Sequence, residues 1–391
     1  MTVYDFDKTV HLRRPDVAKW SEYPEDVLPM WVADMDFPAA DPIRQALHER
    51  IDQGILGYPP LTPPDLADVI CERMKRLYGW DVQPDDVLFL PGLVFGLNVV
   101  TRLIGRPGDG VLVQPPIYPP FLAAPPSSGK FLQPVDLVCT NSNGTLHYDI
   151  DYDALEAAIT PQTSLMLFCN PHNPAGRVFT ADEVRNVAEI CLKHHVTLCA
   201  DEIHSDLIYD GRQHIPAASI SPEISQNTIT LLAPSKTYNI AGLFCSVAIV
   251  QNADLRARIA AAIRDTHAST SVLSLTAAVA AYRYGGEWLA QVRAYLQQNR
   301  DTLVAFVREQ MPQIKMTAPE GTYLAWMDCG ALDLQQPAYR FFLDHARVAL
   351  GNGQHFGGRR GNDFVRLNFA CSKPTLGEGL RRLAASVADR A

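Results

Sequence analysis

The chain is expected to be an α/β protein, a mainly parallel sheet covered by helices, with a smaller α+β domain beside it. Three observations predict this. Short, continuously apolar runs recur through the middle of the chain. Stretches with helical spacing of apolar residues separate several of them, and the pattern changes character beyond residue 285.

The strands come first. "DVLFLPG" (86–92), "GVLVQPP" (110–116), "SLMLFCNP" (164–171), "VTLCADE" (196–202), "TITLLAP" (228–234) and "FCSVAIV" (244–250) are apolar without alternation. Strands buried on both faces look like this. Among the intervening stretches, "TADEVRNVAEICLKHH" (180–195) offers Thr180 as an N-cap, with Val184, Val187, Ala188 and Cys191 at helical spacing. Alternating strand and helix implies parallel pairing, and sites in such sheets collect beyond the carboxyl ends of the strands. After residue 285 a long helical stretch, "GEWLAQVRAYLQQNRDTLVAFVREQMP", leads to short strands, "TYLAWMDC" and "DFVRLNFAC", and a last helix, "LGEGLRRLAASVADR". The expected division is a Pro-rich N-terminal segment packing on the domains (1–45), a large domain (46–284) and a small C-terminal α+β domain (285–391).

Composition narrows the partners. The 391 residues are 47% hydrophobic and 20% charged, with a net charge of −9. An acidic chain without a basic cluster argues against nucleic acid and leaves small-molecule ligands open. No run approaches the length of a membrane span, and "MTVYDFDKTVHLRRPD" has no apolar signal core. Cysteines at 71, 139, 169, 191, 199, 245, 329 and 371 form no C-x-x-C pair, and several sit within apolar runs. A reduced, cytoplasmic protein without a metal site is expected.

The ends of four strands carry the chemistry. "NPHNPAG" (170–176) follows one, and its residue types favour a tight turn. Asp201 follows another, as a helix cap or as a buried carboxylate in need of a partner. Lys236 follows a third, as a surface cation, a phosphate ligand or a reacting amine. "PGLVFGLNVV" follows the fourth, a glycine turn opening a helix whose N–H groups suit an anion. Each alone has a bland explanation. Together they place an anion site, an Asn, an Asp and a Lys on one sheet edge, which is what a pyridoxal phosphate site requires. The amine bonds the aldehyde, the carboxylate keeps the pyridine nitrogen protonated, a donor fixes the ring oxygen and amides hold the phosphate.

The order "NPHNPAG … ADEIH … APSKTYNIAGL … FVRLNFAC" resembles fold-type I pyridoxal phosphate enzymes, the aspartate aminotransferase superfamily, over nearly the whole chain. "LPMWVADMDF", "ILGYPP", "LYGWDV", "LPGLVFGLN", "PGDGVLVQPPIYPPF" and "EGTYLAW" are similar to the narrower MalY/PatB group of cystathionine β-lyases, or C–S lyases. The resemblance implies that Lys236 bonds the cofactor, Asp201 pairs with the pyridine nitrogen, Asn173 and His204 lie near the ring oxygen and Tyr118 stacks on the ring. It further implies that the backbone of Leu93 and Val94 holds the phosphate, with Ser235 also in the cofactor-binding set. Arg366 would grip the substrate α-carboxylate, helped by backbone at Ala33. Tyr58 would reach the neighbouring subunit's phosphate, so a homodimer is implied.

Two departures from the family pattern matter, the first at the phosphate and the second at the substrate pocket. Ala233 and Phe244 stand where many aminotransferases carry a Ser and a basic residue, and "MDCG" (327–330) stands where this lyase group more often has an aromatic and a basic residue. The implied reaction is β-elimination from cystathionine or another L-cysteine S-conjugate to a thiol, pyruvate and ammonia. The alternatives are an aminotransferase of the same fold, a regulatory protein retaining it, and a biosynthetic lyase for one thio-conjugate.

Overall fold

Six runs with no polar face have to be covered on both sides, and they come to lie side by side. In the computed structural model, which describes residues 2–8, 14–60, 62–358 and 360–388, they form the first six members of a seven-stranded sheet. Met1, 9–13 and 389–391, at the ends of the expected N- and C-terminal segments, lie outside the described residues. The spatial order is Val87–Leu90, Ser246–Ile249, Thr228–Leu232, Thr197–Asp201, Thr163–Cys169, Gly110–Val113 and Phe131–Pro134. Ser246–Ile249 runs antiparallel to both its neighbours, and the remaining pairs are parallel. Register positions the site: Asp201 lies opposite Cys169 on one side and Leu231 on the other. Three strands therefore end level.

The second sheet also has seven strands, in the order Leu28–Met30, Val348–Asn352, Phe364–Asn368, Leu324–Asp328, Lys315–Thr317, Thr145–Asp149 and Val138–Ser142. Its last two members form a hairpin from within 46–284, the stretch assigned by sequence to the large domain. Thr145 instead pairs in parallel with Met316 of the C-terminal part. Val138–Ser142 is exposed along its whole length, so no apolar run announces it. Leu146 and Tyr148 of the partner strand face inward and pack in one cluster with Trp326 and Phe364.

Two C-terminal helices cover the second sheet. Gly286–Gln310 and Lys373–Ala388 bury Trp288, Leu296, Leu303, Leu376, Leu380 and Leu383 in a common cluster. The N-terminal segment joins the same sheet through Leu28–Met30, parallel to Val348–Asn352. No helix among the described residues is long and apolar enough to cross a membrane.

The helix expected over 180–195 spans Ala181–Lys193 and opens with a reciprocal cap: the Thr180 hydroxyl accepts from Glu183 N (3.3 Å), and the Glu183 carboxylate accepts from Thr180 N (2.7 Å). Val184, Val187, Ala188 and Cys191 are buried on one face, as their spacing requires. Thr180→Ala leaves Glu183 N without this acceptor and should lower the unfolding free energy by about 1 kcal/mol in a denaturant titration. An unchanged midpoint at unchanged m-value would mean that water replaces the cap without loss.

Candidate active site

Where the strands end level, the backbone itself is tied together. The Asp201 carbonyl accepts from Asn170 N (3.0 Å), and Glu202 N donates to Leu231 O (2.9 Å). Beyond Leu232 the chain enters a single helical turn, Pro234–Thr237, with proline at a first-turn position where its missing N–H does no harm. Lys236 thereby stands over the edge. The Thr237 hydroxyl donates to Asp206 (2.9 Å), which also pairs with Arg73, so the turn is clamped from behind. Beyond the strand Val87–Leu90, Gly92 adopts φ +132°, a backbone conformation that side chains rarely permit, and opens the helix Leu93–Leu103. The first N–H groups of that helix, those of Leu93 and Val94, have no carbonyl one turn earlier to bond. These elements surround a cavity of about 330 Å³, lined among others by Ala33, Leu93, Val94, Tyr118, Asn173, Asp201, His204, Ser235 and Lys236.

Burial sets the charges in this cavity. Asp201 accepts one backbone hydrogen bond, from Ile203 N (3.1 Å), and desolvation pushes its carboxyl up to about 7. His204, buried, is driven down to about 3 by desolvation and by the cations Lys236 and Arg366, so its ring is neutral at ordinary pH; its Nδ1 has no partner. Desolvation also lowers the Lys236 ammonium below its ordinary value, with the nearby Asp34 carboxylate opposing it. The Lys236 amine donates to Ala33 O at 2.7 Å. Arg366 is buried, and desolvation lowers it to about 10, which leaves it charged. It donates to Asn173 Oδ1 (3.2 Å) and Trp31 O (2.8 Å), lies 4.9 Å from the Phe356 ring centroid, and keeps Nε unpartnered.

Residues 31–37 run beside the cavity and find few backbone partners for their polar groups. Side chains supply most of the rest, since a buried carbonyl left unbonded is costly. Trp31 O takes Arg366, and Val32 O takes Asn368 Nδ2 at 2.5 Å. Ala33 O takes both Lys236 and the Tyr323 hydroxyl, the latter at 2.7 Å. Asp34 O takes Asn368 (2.7 Å) and Lys19 (3.1 Å), while Met35 O and Phe37 O take Asn239 at 2.9 and 2.7 Å. Asp36 N donates to Ala370 O (2.9 Å), and its carboxylate pairs with the buried Lys19 at 2.9 Å.

Nine of the residues singled out by sequence thus line one cavity, and Arg366 stands against it through Asn173. Tyr58 is not brought there by its own chain; it is fully exposed and borders a different cavity with Ile55 and Tyr284. Sequence reasoning missed Asn239, Asn368, Tyr323 and Lys19. The first three lie inside quoted motifs ("TYN", "RLNFA", "GTYLAW"), so the signal was present but attached to their neighbours.

The set fits pyridoxal phosphate: unbonded helix-start amides for the phosphate, a buried carboxyl able to hold a proton against a ring nitrogen, and an amine of lowered basicity for the aldehyde. Comparison with known proteins points the same way. A family model described as aminotransferase class I and II matches residues 25–383. The cystathionine beta-lyase PatB of Bacillus subtilis (strain 168) is 38% identical over 393 residues, covering 98% of this chain and 100% of its own. Protein MalY of Escherichia coli (strain K12) is 30% identical over 390 residues, covering 97% and 98%. The crystal structure of cystalysin from Treponema denticola, which contains a pyridoxal 5'-phosphate cofactor, superposes with a TM-score of 0.93 at 32% identity, covering 99% and 100%.

Asp201 generates a prediction about stability. Its folded value, about 7, lies above the ordinary 3.8, so the folded state retains a proton that the unfolded state has released. Stability of the cofactor-free protein should fall as pH rises through that window, by on the order of 1.4 kcal/mol per unit. Asp201→Asn removes the titration and keeps the acceptor for Ile203 N. Cofactor-free Asp201→Asn protein should therefore be more stable than wild type at pH 8, with the difference vanishing near pH 4 in urea melts. A difference independent of pH would contradict the assignment.

Proposed function

The chain belongs to the aminotransferase class I and II family, and from that premise we propose that it is a pyridoxal phosphate-dependent carbon–sulfur lyase. Its reaction is β-elimination from cystathionine or another L-cysteine S-conjugate, with water, to a thiol, pyruvate and ammonia. One observation favours this over transamination of a dicarboxylate. Among the described residues lining the cavity Lys236 is the only cation, and Phe244 lies on its wall. A substrate's α-carboxylate would find Arg366, but a second carboxylate finds no counter-charge there. A thioether needs mainly apolar room.

Each residue then has a task. With the cofactor bound, Lys236 would hold it at the aldehyde carbon, and its Nζ, once free, would take the Cα proton. Its lowered basicity makes the neutral amine available. Bound pyridoxal phosphate supplies an electron sink for the pair left at Cα. Asp201 holds a proton at the ring nitrogen from the buried strand end. Leu93 and Val94 N–H and the Ser235 hydroxyl would hold the phosphate, Asn173 and the neutral His204 the ring oxygen, and Tyr118 would stack on the ring. Arg366, with Ala33 backbone beside it, receives the α-carboxylate by two parallel N–H bonds.

Tyr58 acquires a role only in a homodimer. Ile55, Leu56, Tyr58 and Tyr284 are more than half exposed, apolar and close in the fold, which supports a second copy covering them. All eight cysteines are free, in keeping with a reducing, cytoplasmic setting.

The decisive assay supplies L-cystathionine without any keto acid. Pyruvate should accumulate in many-fold excess over enzyme, aspartate with 2-oxoglutarate should react poorly, and Lys236→Ala should lower kcat by at least about a hundredfold. Quantitative conversion of the cofactor to its amine form, reversed by keto acid during rapid turnover, would make it an aminotransferase. For the dimer, mixing inactive Tyr58→Phe and Lys236→Ala proteins should restore part of the activity through hybrid sites. Full activity in a species that sediments as a monomer would rule that arrangement out.

A further inference from the structure

Asp34 has no task in this scheme, yet it belongs to the "WVADMDF" stretch and lies beside the reacting amine. Its Oδ1 is 3.8 Å from Lys236 Nζ, and the carboxylate makes no other ion pair among the described residues. The backbone on either side of it is fixed: Ala33 O by Lys236 and Tyr323, Asp34 O by Asn368 and Lys19. The anchored backbone keeps the Asp34 Cα beside the amine, and its half-exposed carboxylate reaches the amine from there. The other groups around the amine are Asp201 at the strand end, Arg366 from Phe364–Asn368 and the neutral His204, with Tyr323 sharing the Ala33 carbonyl and Tyr118 on the same cavity wall. Arg366 disfavours a second cation nearby, and Asp201 is committed to the ring nitrogen. Asp34 is the carboxylate left to balance a charge on Lys236.

We propose that Asp34 is a positioning residue for Lys236, holding its amine beside the Ala33 carbonyl and balancing the ammonium formed when that amine takes up a proton. In that step the lone pair on Nζ forms the new N–H bond, the Cα–H bond breaks, and its electron pair stays with the substrate. The new ammonium then faces a carboxylate rather than Arg366 alone. The inference rests on Lys236 being the reacting amine, but it does not depend on whether the carbanion expels a thiolate or is reprotonated.

Competitive acetylation of the cofactor-free protein across pH 6–11, read at Lys236 by peptide mass spectrometry, measures the amine directly. Asp34→Asn should lower the apparent Lys236 pKa by about one unit, a tenfold change in the protonation equilibrium, because a neutral amide no longer favours the cation. Asp34→Glu, which keeps the charge, should stay close to wild type, and Asp41→Asn, a distant exposed carboxylate, should have no effect. The acidic limb of the holoenzyme's kcat profile, which reports the amine once substrate has displaced it, should shift to lower pH in the same way. An unchanged Lys236 pKa in Asp34→Asn overturns the proposal. So does an equal fall in Asp34→Glu, which would make the effect one of packing and not of charge. Labelling as expected without pyruvate release from the holoenzyme would instead refute the lyase assignment and leave Asp34 in place.

Discussion

Backbone carbonyls that lie beside a cavity and outside any sheet must be hydrogen-bonded by something, and around residues 31–37 that something includes side chains of the candidate active site. An unbonded buried carbonyl costs about 1–3 kcal/mol. Trp31, Val32, Ala33, Asp34, Met35 and Phe37 each present such a carbonyl, and side chains answer them all. Arg366 and Asn368 come from the second sheet, while Lys236 and Asn239 come from the chain after a strand of the first. One extended segment therefore sets where the two sheets' functional groups stand relative to each other. Asn239 serves it from a left-handed backbone conformation (φ +55°), which asparagine tolerates better than most residues.

The same geometry explains the charges. Parallel strands buried on both faces deliver Asp201 to a place where water is scarce, and desolvation raises its carboxyl. Lysine and histidine in the same surroundings move the other way, towards neutrality. The chain thus holds a carboxyl that shares a proton readily, an amine that releases one and an imidazole that stays uncharged. Each state is unfavourable for folding in isolation and useful for acid–base chemistry. The clamp formed by Arg73, Asp206 and Thr237 and the cap by Gly92 hold the strand ends in that arrangement.

Much of this was legible in the residues. Six of the seven strands of the large sheet were apparent, because a strand covered on both faces must be apolar without interruption. The motif order exposed Lys236, Asp201 and Asn173 for a related reason: Asp201 ends its strand and the other two stand within four residues of theirs, so locating the strands locates them. The edge strand Phe131–Pro134 is only four residues long and partly exposed, and the hairpin strand Val138–Ser142 is exposed throughout and mostly polar, so neither shows a continuous apolar run. Tyr58 marks a different boundary. The role proposed for it needs a second copy of the chain, and its own fold leaves it fully exposed.

The sequence alone determined the α/β class, the chemical set at the strand ends and the kind of cofactor that set can hold. These depend on local patterns: apolar continuity, turn residues and the identity of the next side chain. Only the tertiary structure decided that the hairpin 138–149 pairs with the C-terminal strands, that residues 31–37 lie beside the cavity, and that Asp34 stands 3.8 Å from Lys236. Such contacts join positions up to 336 residues apart, Val32 to Asn368 among them, and no local pattern carries such a distance. They follow from the requirement that every buried polar group find a partner, and that requirement is met only once the whole chain is folded.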